Sequence, residues 1–274
     1  MNPDFFKDKV IIITGASSGI GLASAKLFGS FGAKVVMAAR HIDRLEEEAA
    51  EVSADPGKVL CVKTDVSLEE DCKNLIAKTV EKFGRIDILV NNAGISMRAM
   101  FKDLDLNVIK SLMDVNFWGT VFCTKFALPY LLESKGSVVG VISIAGYSPL
   151  PARTGYSSSK YAIRGFLDCL RVEHLYDGLH VMIFAPGYTA SNVRNAALTS
   201  NGKPQGETPL DEGKLMSAEE CAMHLAKGLY KRKSSLILSC LGKVTVLFHN
   251  IFPNLTDRLT YAYISREKDS PFHK

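Results

Sequence analysis

A strand that is apolar at every position, rather than at every second one, is stable only where both faces of its sheet are covered. The chain contains a series of such runs. The first, Lys9 to Thr14, includes Val10-Ile11-Ile12-Ile13. Ala33 to Ala39, Lys58 to Lys63, Ile86 to Asn91, Ser137 to Ser143, Leu179 to Phe184 and the short Ser234 to Ser239 read as further strands. Segments with helical spacing alternate with them: Ile20 to Phe31, Asp43 to Val52, Leu106 to Leu132 and Ala162 to Glu173. Two capping boxes, Ser67 with Glu70 and Ser217 with Glu220, open helices that run to about Lys82 and Lys231. Strand and helix in alternation predict an α/β fold. The expected architecture is a doubly wound, Rossmann-type, predominantly parallel sheet of seven strands with helices on both faces. Ligands of such sheets bind at the carboxyl ends of the strands. Residues 1–240 are expected to form one dinucleotide-binding and catalytic domain, and residues 241–274 a helical extension of it.

The loop after the first strand specifies a ligand class. Thr14-Gly15-Ala16-Ser17-Ser18-Gly19-Ile20-Gly21 lies between strand and helix. Glycine lets a backbone turn sharply and approach a pyrophosphate, and a helix amino terminus offers N–H donors to the phosphate charge. The spacing is Gly-x-x-x-Gly-x-Gly, not the commoner Gly-x-Gly-x-x-Gly. At the end of the second strand an acidic residue would bind a ribose 2′-hydroxyl, whereas an arginine accommodates a 2′-phosphate. The sequence there is Ala38-Ala39-Arg40, so NADP(H) is expected over NAD(H). Asp65, after the third strand, is placed either to accept from an adenine amino group or to cap its own turn. Asn91-Asn92-Ala93-Gly94 closes the fourth strand at the same sheet edge, and its small residues let a ligand pass close to the backbone.

Tyr156 and Lys160 stand four residues apart, which puts a phenol and an ammonium on one helix face. A neighbouring positive charge favours the phenolate and lowers the phenol pKa. Such a tyrosine can exchange a proton near neutral pH, as general acid–base catalysis requires.

These residues in this order resemble the short-chain dehydrogenase/reductase family. The resemblance spans about Lys9 to Ser239 and rests on Thr14 to Gly21, Asp65-Val66, Asn91 to Gly94, Asn116, Ser143, the Tyr156/Lys160 pair and Pro186-Gly187. Ile95 to Phe101 and the C-terminal part are similar to membrane-associated eukaryotic members. The family implies hydride transfer between a nicotinamide cofactor and a carbonyl or alcohol. It further implies that Tyr156 donates a proton to the carbonyl oxygen and that Lys160 lowers its pKa and holds the nicotinamide ribose. Ser143 would donate to the substrate oxygen, Asn116 would hold a water leading from Lys160 to solvent, and Pro186, Gly187 and Thr189 would border the nicotinamide. Gly15, Ser17, Ser18, Gly19, Ile20, Gly21, Arg40, Asp65, Val66, Asn92, Ala93 and Gly94 complete the expected cofactor site. A protein that keeps the fold as a silent dinucleotide sensor, or as an interaction protein, would need the glycine loop but not Ser143, Tyr156 and Lys160.

The segment Tyr188 to Met216 is polar and turn-rich, and a loop of that length in a compact domain is usually functional or disordered. It is expected to cover an apolar substrate, with Ile95, Met97, Met100, Leu150, Ala197 and Leu198 as wall. The formal net charge of +4 is too small to argue for a nucleic-acid partner. The six cysteines form no Cys-x-x-Cys pair, the histidines show no metal-ligand spacing, and no hydrophobic signal core opens the chain. Reduced thiols, no metal and a cytoplasmic location are expected. Beyond the strands, apolar clusters from Val244 to Ile264 are flanked by Lys243, Arg258, Arg266 and Lys268, and Pro253 should split them into two helices. Packing on the domain or joining a homodimer or homotetramer is the expected fate of that surface; contact with a membrane surface is the alternative.

Overall fold

The computed structural model describes residues 1–187, 189, 196–206, 215–266 and 270–273. Strand β1 (Val10–Thr14) shows why the first run is apolar throughout. Val10 and Ile12 enter one core layer, Ile11 and Ile13 the other, and none of the four has exposed surface. Each such side chain contributes about 1.5–3 kcal/mol by leaving water. β1 lies centrally in a sheet of seven parallel strands, ordered β3-β2-β1-β4-β5-β6-β7. The others are β2 (Lys34–Ala39), β3 (Val59–Lys63), β4 (Ile88–Asn91), β5 (Ser137–Val141), β6 (His180–Ala185) and β7 (Ser235–Ile237). Strand order reverses between β1 and β4, which opens a crevice at their carboxyl ends.

Helices α1 (Gly19–Ser30), α2 (Ile42–Val52) and α7 (Ala218–Tyr230) build the layer that receives Ile11 and Ile13. The opposite layer holds α3 (Glu69–Phe83), α5 (Gly119–Glu133) and α6 (Thr154–Glu173). The expected doubly wound architecture is thus present.

Local expectations fared unevenly. The capping box at Ser217 and Glu220 forms, with both reciprocal bonds in place. The one at Ser67 and Glu70 does not. The Ser67 hydroxyl donates to Asp65 Oδ1 at 2.7 Å, so it turns back into the preceding loop, and α3 starts at Glu69 without a side-chain cap. The long helix from Leu106 is continuous but not uniform. A regular segment α4 (Leu106–Leu112) passes into a π-helical stretch, Met113–Trp118, before α5 resumes. Just past α7 the Arg232 guanidinium donates to Gly178 O at 2.7 Å.

After β7 the chain forms α8 (Cys240–Ile251) and α9 (Pro253–Ser265), with Pro253 at the first turn of the second helix. The hairpin is anchored where Gly242 meets Ile144, and at Val246 and Ile264. Most of its apolar surface is not covered: Leu241 is 72% exposed and Leu247 57%. Packing on the parent domain therefore accounts for little of it. Lys268 and residues 190–195 and 207–214 of the expected covering loop, with Tyr188, lie outside the described residues. Among the described residues, no helix is long and apolar enough to cross a membrane. Truncation after Ser239 is expected to cause aggregation or a change of association state, read by size-exclusion chromatography. A stable, active truncated protein of unchanged oligomeric state would contradict that expectation.

Candidate active site

A cavity of about 630 Å³ opens at the carboxyl ends of β1, β4 and β5. Of the cofactor and catalytic residues expected from sequence, all line it except Gly21 and Asn116. One end is built by the loop from β1 to α1. Gly15 has φ +66°, a conformation open to glycine at little cost, and a Cβ on Gly21 would collide with the Gly15 carbonyl oxygen. The Ser18 side chain does not cap α1, and its first turn carries no acidic residue. A helix amino terminus thus faces the cavity with N–H donors unsatisfied by a cap, which suits an anion. Thr14 locks this loop to β4: its Oγ1 accepts from Asn92 N and Ala93 N, each at 3.0 Å. Asn92 Nδ2 returns a bond to Thr14 O at 2.9 Å. Asp65 takes the turn-capping role, its Oδ1 accepting from Ser67 N at 3.0 Å, while it also lines the cavity. Arg40 is exposed at the same wall, beside Ala39 and His41. These features fit a dinucleotide.

The other end holds the reactive groups. Tyr156, near the start of α6, lines the cavity with Ser143, which follows β5 and whose Oγ accepts from Ala145 N at 3.2 Å. Lys160, one turn on, is buried and donates to Val141 O at 2.9 Å. A Cβ on Gly94 would stand 3.3 Å from Lys160 Nζ and 3.1 Å from Asn116 Oδ1, so both side chains converge beneath that backbone. Burial pulls the Lys160 ammonium down to about 8.

The electrostatics of Tyr156 differ from the sequence expectation. Burial pushes its phenol above the ordinary tyrosine value; the Ser143 hydrogen bond and the Arg153 guanidinium work against that. Lys160 Nζ lies 5.8 Å from the Tyr156 ring centroid and donates to the Val141 carbonyl.

Asn116 is fully buried, on the π-helical stretch. Its Oδ1 accepts from Ile95 N at 2.8 Å, and its Nδ2 donates to Ile95 O at 3.0 Å and to Ser159 Oγ at 2.9 Å. The amide is therefore a strut joining the loop after β4 to α6. Pro186, Gly187 and Thr189 form the wall after β6, with Thr189 Oγ1 donating to Gly187 O at 3.3 Å.

Of the expected substrate wall, Ile95 and Leu150 line the cavity, whereas Met97 and Ala197 are buried behind it. Sequence reasoning gave no role to Ser159 or Arg153 and named Thr14 only within the glycine motif; Arg153 precedes α6 as its N-cap residue.

This combination of a doubly wound sheet, an anion cradle and a Tyr–Lys–Ser cluster at one carboxyl edge defines a dinucleotide-binding oxidoreductase. Comparison with known proteins gives the family. The family model described as short chain dehydrogenase matches residues 9–201, and the chain belongs to that family. A Dehydrogenase/reductase SDR family protein 7-like from Dictyostelium discoideum is 35% identical over 267 residues, covering 95% of this chain and 83% of the relative. An 11-beta-hydroxysteroid dehydrogenase 1A from Arabidopsis thaliana is 35% identical over 268 residues, covering 92% of this chain and 75% of the relative. Among solved structures, an alcohol dehydrogenase from the archaeon Thermococcus sibiricus, complexed with 5-hydroxy-NADP, superposes with a TM-score of 0.72 at 26% identity, covering 85% of this chain and 96% of that one. A short chain dehydrogenase/reductase from Burkholderia phymatum, in complex with NAD, gives 0.82 at 22% identity, covering 91% and 95%, and supports the fold alone.

Proposed function

We propose that the protein is an NADP(H)-dependent oxidoreductase that interconverts a carbonyl and an alcohol on an apolar small molecule. The observation that carries this reading is the convergence of Tyr156, Ser143 and buried Lys160 at one end of a cavity whose other end is the glycine cradle. The cofactor, when bound, supplies or accepts the hydride. Tyr156 holds the proton that the carbonyl oxygen takes up, and Ser143 orients that phenol and donates to the same oxygen as charge develops on it. The walls around Tyr156 are apolar, with Met97, Leu104, Val108 and Leu112 packed as one cluster behind it. An apolar substrate suits those walls, and the steroid dehydrogenase names of the Arabidopsis relatives agree with it.

The preference for NADP(H) over NAD(H) is supported by Arg40 at the cavity wall after β2, where a guanidinium could pair with a 2′-phosphate, and by Ala39, which offers no carboxylate to repel it. A charge-assisted contact of about 1.5–3 kcal/mol is at stake. Arg40→Ala is expected to weaken NADPH binding by about ten- to a hundredfold and to leave NADH nearly unchanged, measured by titrating cofactor fluorescence. Equal losses for both cofactors would make Arg40 a structural residue.

A homodimer or homotetramer through α4–α5 and α6 belongs to this reading. It is supported by partly exposed aromatic surface there, where Trp118 stacks on Phe122 and Tyr161 faces outward. The reading takes the protein to be cytoplasmic, with contact between the α8–α9 hairpin and a membrane surface as the second fate of that face. The function is tested by loss of NADPH absorbance with a panel of ketones, aldehydes and quinones. Turnover of at least one is expected. Tight NADPH binding without turnover of any would favour a sensor.

A further inference from the structure

The α8–α9 hairpin leaves most of its apolar surface uncovered, yet the first turn of α8 is close-packed, and it packs on the reactive end of the cavity. Gly242 is buried in that turn. A Cβ there would collide with Ile144 Cδ1 and stand 3.0 Å from Ile144 Cγ1 and 2.6 Å from Ser239 Oγ. Ile144 directly follows Ser143 and opens the short 3₁₀ turn Ile144–Gly146, which the Ser143 side chain caps. Ser239 caps α8, its Oγ accepting from Gly242 N at 2.9 Å. The same side chain meets the wall after β6, where a Cβ on Gly187 would stand 3.1 Å from Ser239 Cβ. One helical turn therefore touches both the segment that carries Ser143 and the segment that carries Gly187, two residues of the cavity lining.

We infer that Gly242 and Ser239 are positioning residues of the active site: through Ile144 the first turn of α8 holds Ser143 in register with Tyr156. Tyr156 and Lys160 share one helix and keep their spacing by themselves. Ser143 arrives on a different element, so its place depends on what grips the 3₁₀ turn. Two elements do so. On α6 the contact is backbone, since a Cβ on Gly146 would stand 3.0 Å from Lys160 O. On α8 it is the fit of Ile144 against Gly242. Alanine is the better helix former, so a buried glycine in a first helical turn answers to close approach. Close-packed interiors pass a displacement on to their neighbours, and a small misplacement of a group at the reacting centre costs much of its effect. The hairpin is thereby tied to the reactive centre while its outer face stays open.

The kinetic arm of the test rests on the proposed carbonyl reduction; the hydrogen-exchange arm needs no substrate. Gly242→Ala is expected to speed amide exchange at Ala145, Gly146 and Tyr147 by about tenfold and to leave residues 14–21 at the parent rate. In carbonyl reduction it should lower kcat by about tenfold with the KM for NADPH near the parent value. Ile144→Val removes the Cδ1 carbon that the new methyl would strike, so adding it to Gly242→Ala should restore most of both losses. A merely destabilised protein would not be mended by losing a further methylene. Parent-level kcat or parent-level exchange in Gly242→Ala, or a double variant no better than the single one, would overturn the role of the α8 turn. Should Gly242→Ala not fold, Ser239→Ala decides: loss of the cap must speed exchange at residues 145–147, and no change contradicts that role. A parent protein that turns over no carbonyl contradicts the proposed function instead, and the exchange arm still decides on the α8 turn.

Discussion

Tyr156→Phe is expected to lower the turnover of carbonyl reduction by about a hundredfold or more, the scale of one acid–base group. The substitution keeps the ring against the Met97 and Leu112 cluster and removes only the phenol oxygen. Ser143 retains its bond from Ala145 N, so the turn after β5 should hold its shape. The glycine cradle lies at the other end of the cavity, so NADPH affinity should change little. Stopped-flow turnover together with cofactor titration separates the two quantities. A near-normal kcat would remove Tyr156 from the mechanism.

The second large effect is on stability. Lys160 is 4% exposed and its one hydrogen bond is to Val141 O. Burial lowers its pKa from 10.5 to about 8. The native protein therefore disfavours the charged form, and in the window between those values the unfolded chain binds more protons than the folded one. Stability from this group must rise with pH across that window. The penalty is fully present below pH 8 and is gone above the unfolded value. It amounts to roughly 3 kcal/mol, taking about 1.4 kcal/mol per pH unit. Lys160→Met removes the charge and keeps the linear stem. It is expected to be the more stable protein at pH 7 by an amount of that order, and the difference should shrink as pH approaches 10.5, read by urea denaturation of both proteins. Its turnover should fall at the same time. Equal stability of the two at pH 7, with no pH dependence of the difference, would show that Lys160 is not held as a disfavoured cation. A protein that keeps such a lysine gives up stability at its reactive centre, a common trade.

The sequence made some layers of this structure legible and left others dark for physical reasons. The strands were readable because a sheet covered on both faces forces apolar residues at consecutive positions, as Val10 to Ile13 show by alternating between the two core layers. The cradle was readable because few residues other than glycine fit at positions 15 and 21. The π-helical stretch around Asn116 was not, since a one-residue shift of helical hydrogen bonding leaves no mark in apolar periodicity. Nor was the burial of Asn116, whose partner Ile95 offers only backbone atoms. The Ser67–Glu70 pattern matched a capping box, yet the hydroxyl found a nearer acceptor in Asp65. Tyr156 and Lys160 illustrate the same limit at the reactive centre. Their spacing showed that they share a helix face, but not that the ammonium would donate to Val141 O or that burial would push the phenol up. Of the substrate wall, composition identified apolar residues without distinguishing Ile95 and Leu150, which face the cavity, from Met97, which is buried behind it.

The central claim is that this cavity passes a hydride between a nicotinamide and a carbonyl carbon. The most direct measurement supplies NADPH deuterated at the transferring position, together with any carbonyl from the panel that is consumed, and reads the alcohol by mass spectrometry. The account predicts one deuterium on the carbinol carbon with the parent protein, and at least a hundredfold slower labelling with Tyr156→Phe. Alcohol formed without deuterium, or labelling at an equal rate in both proteins, would contradict it.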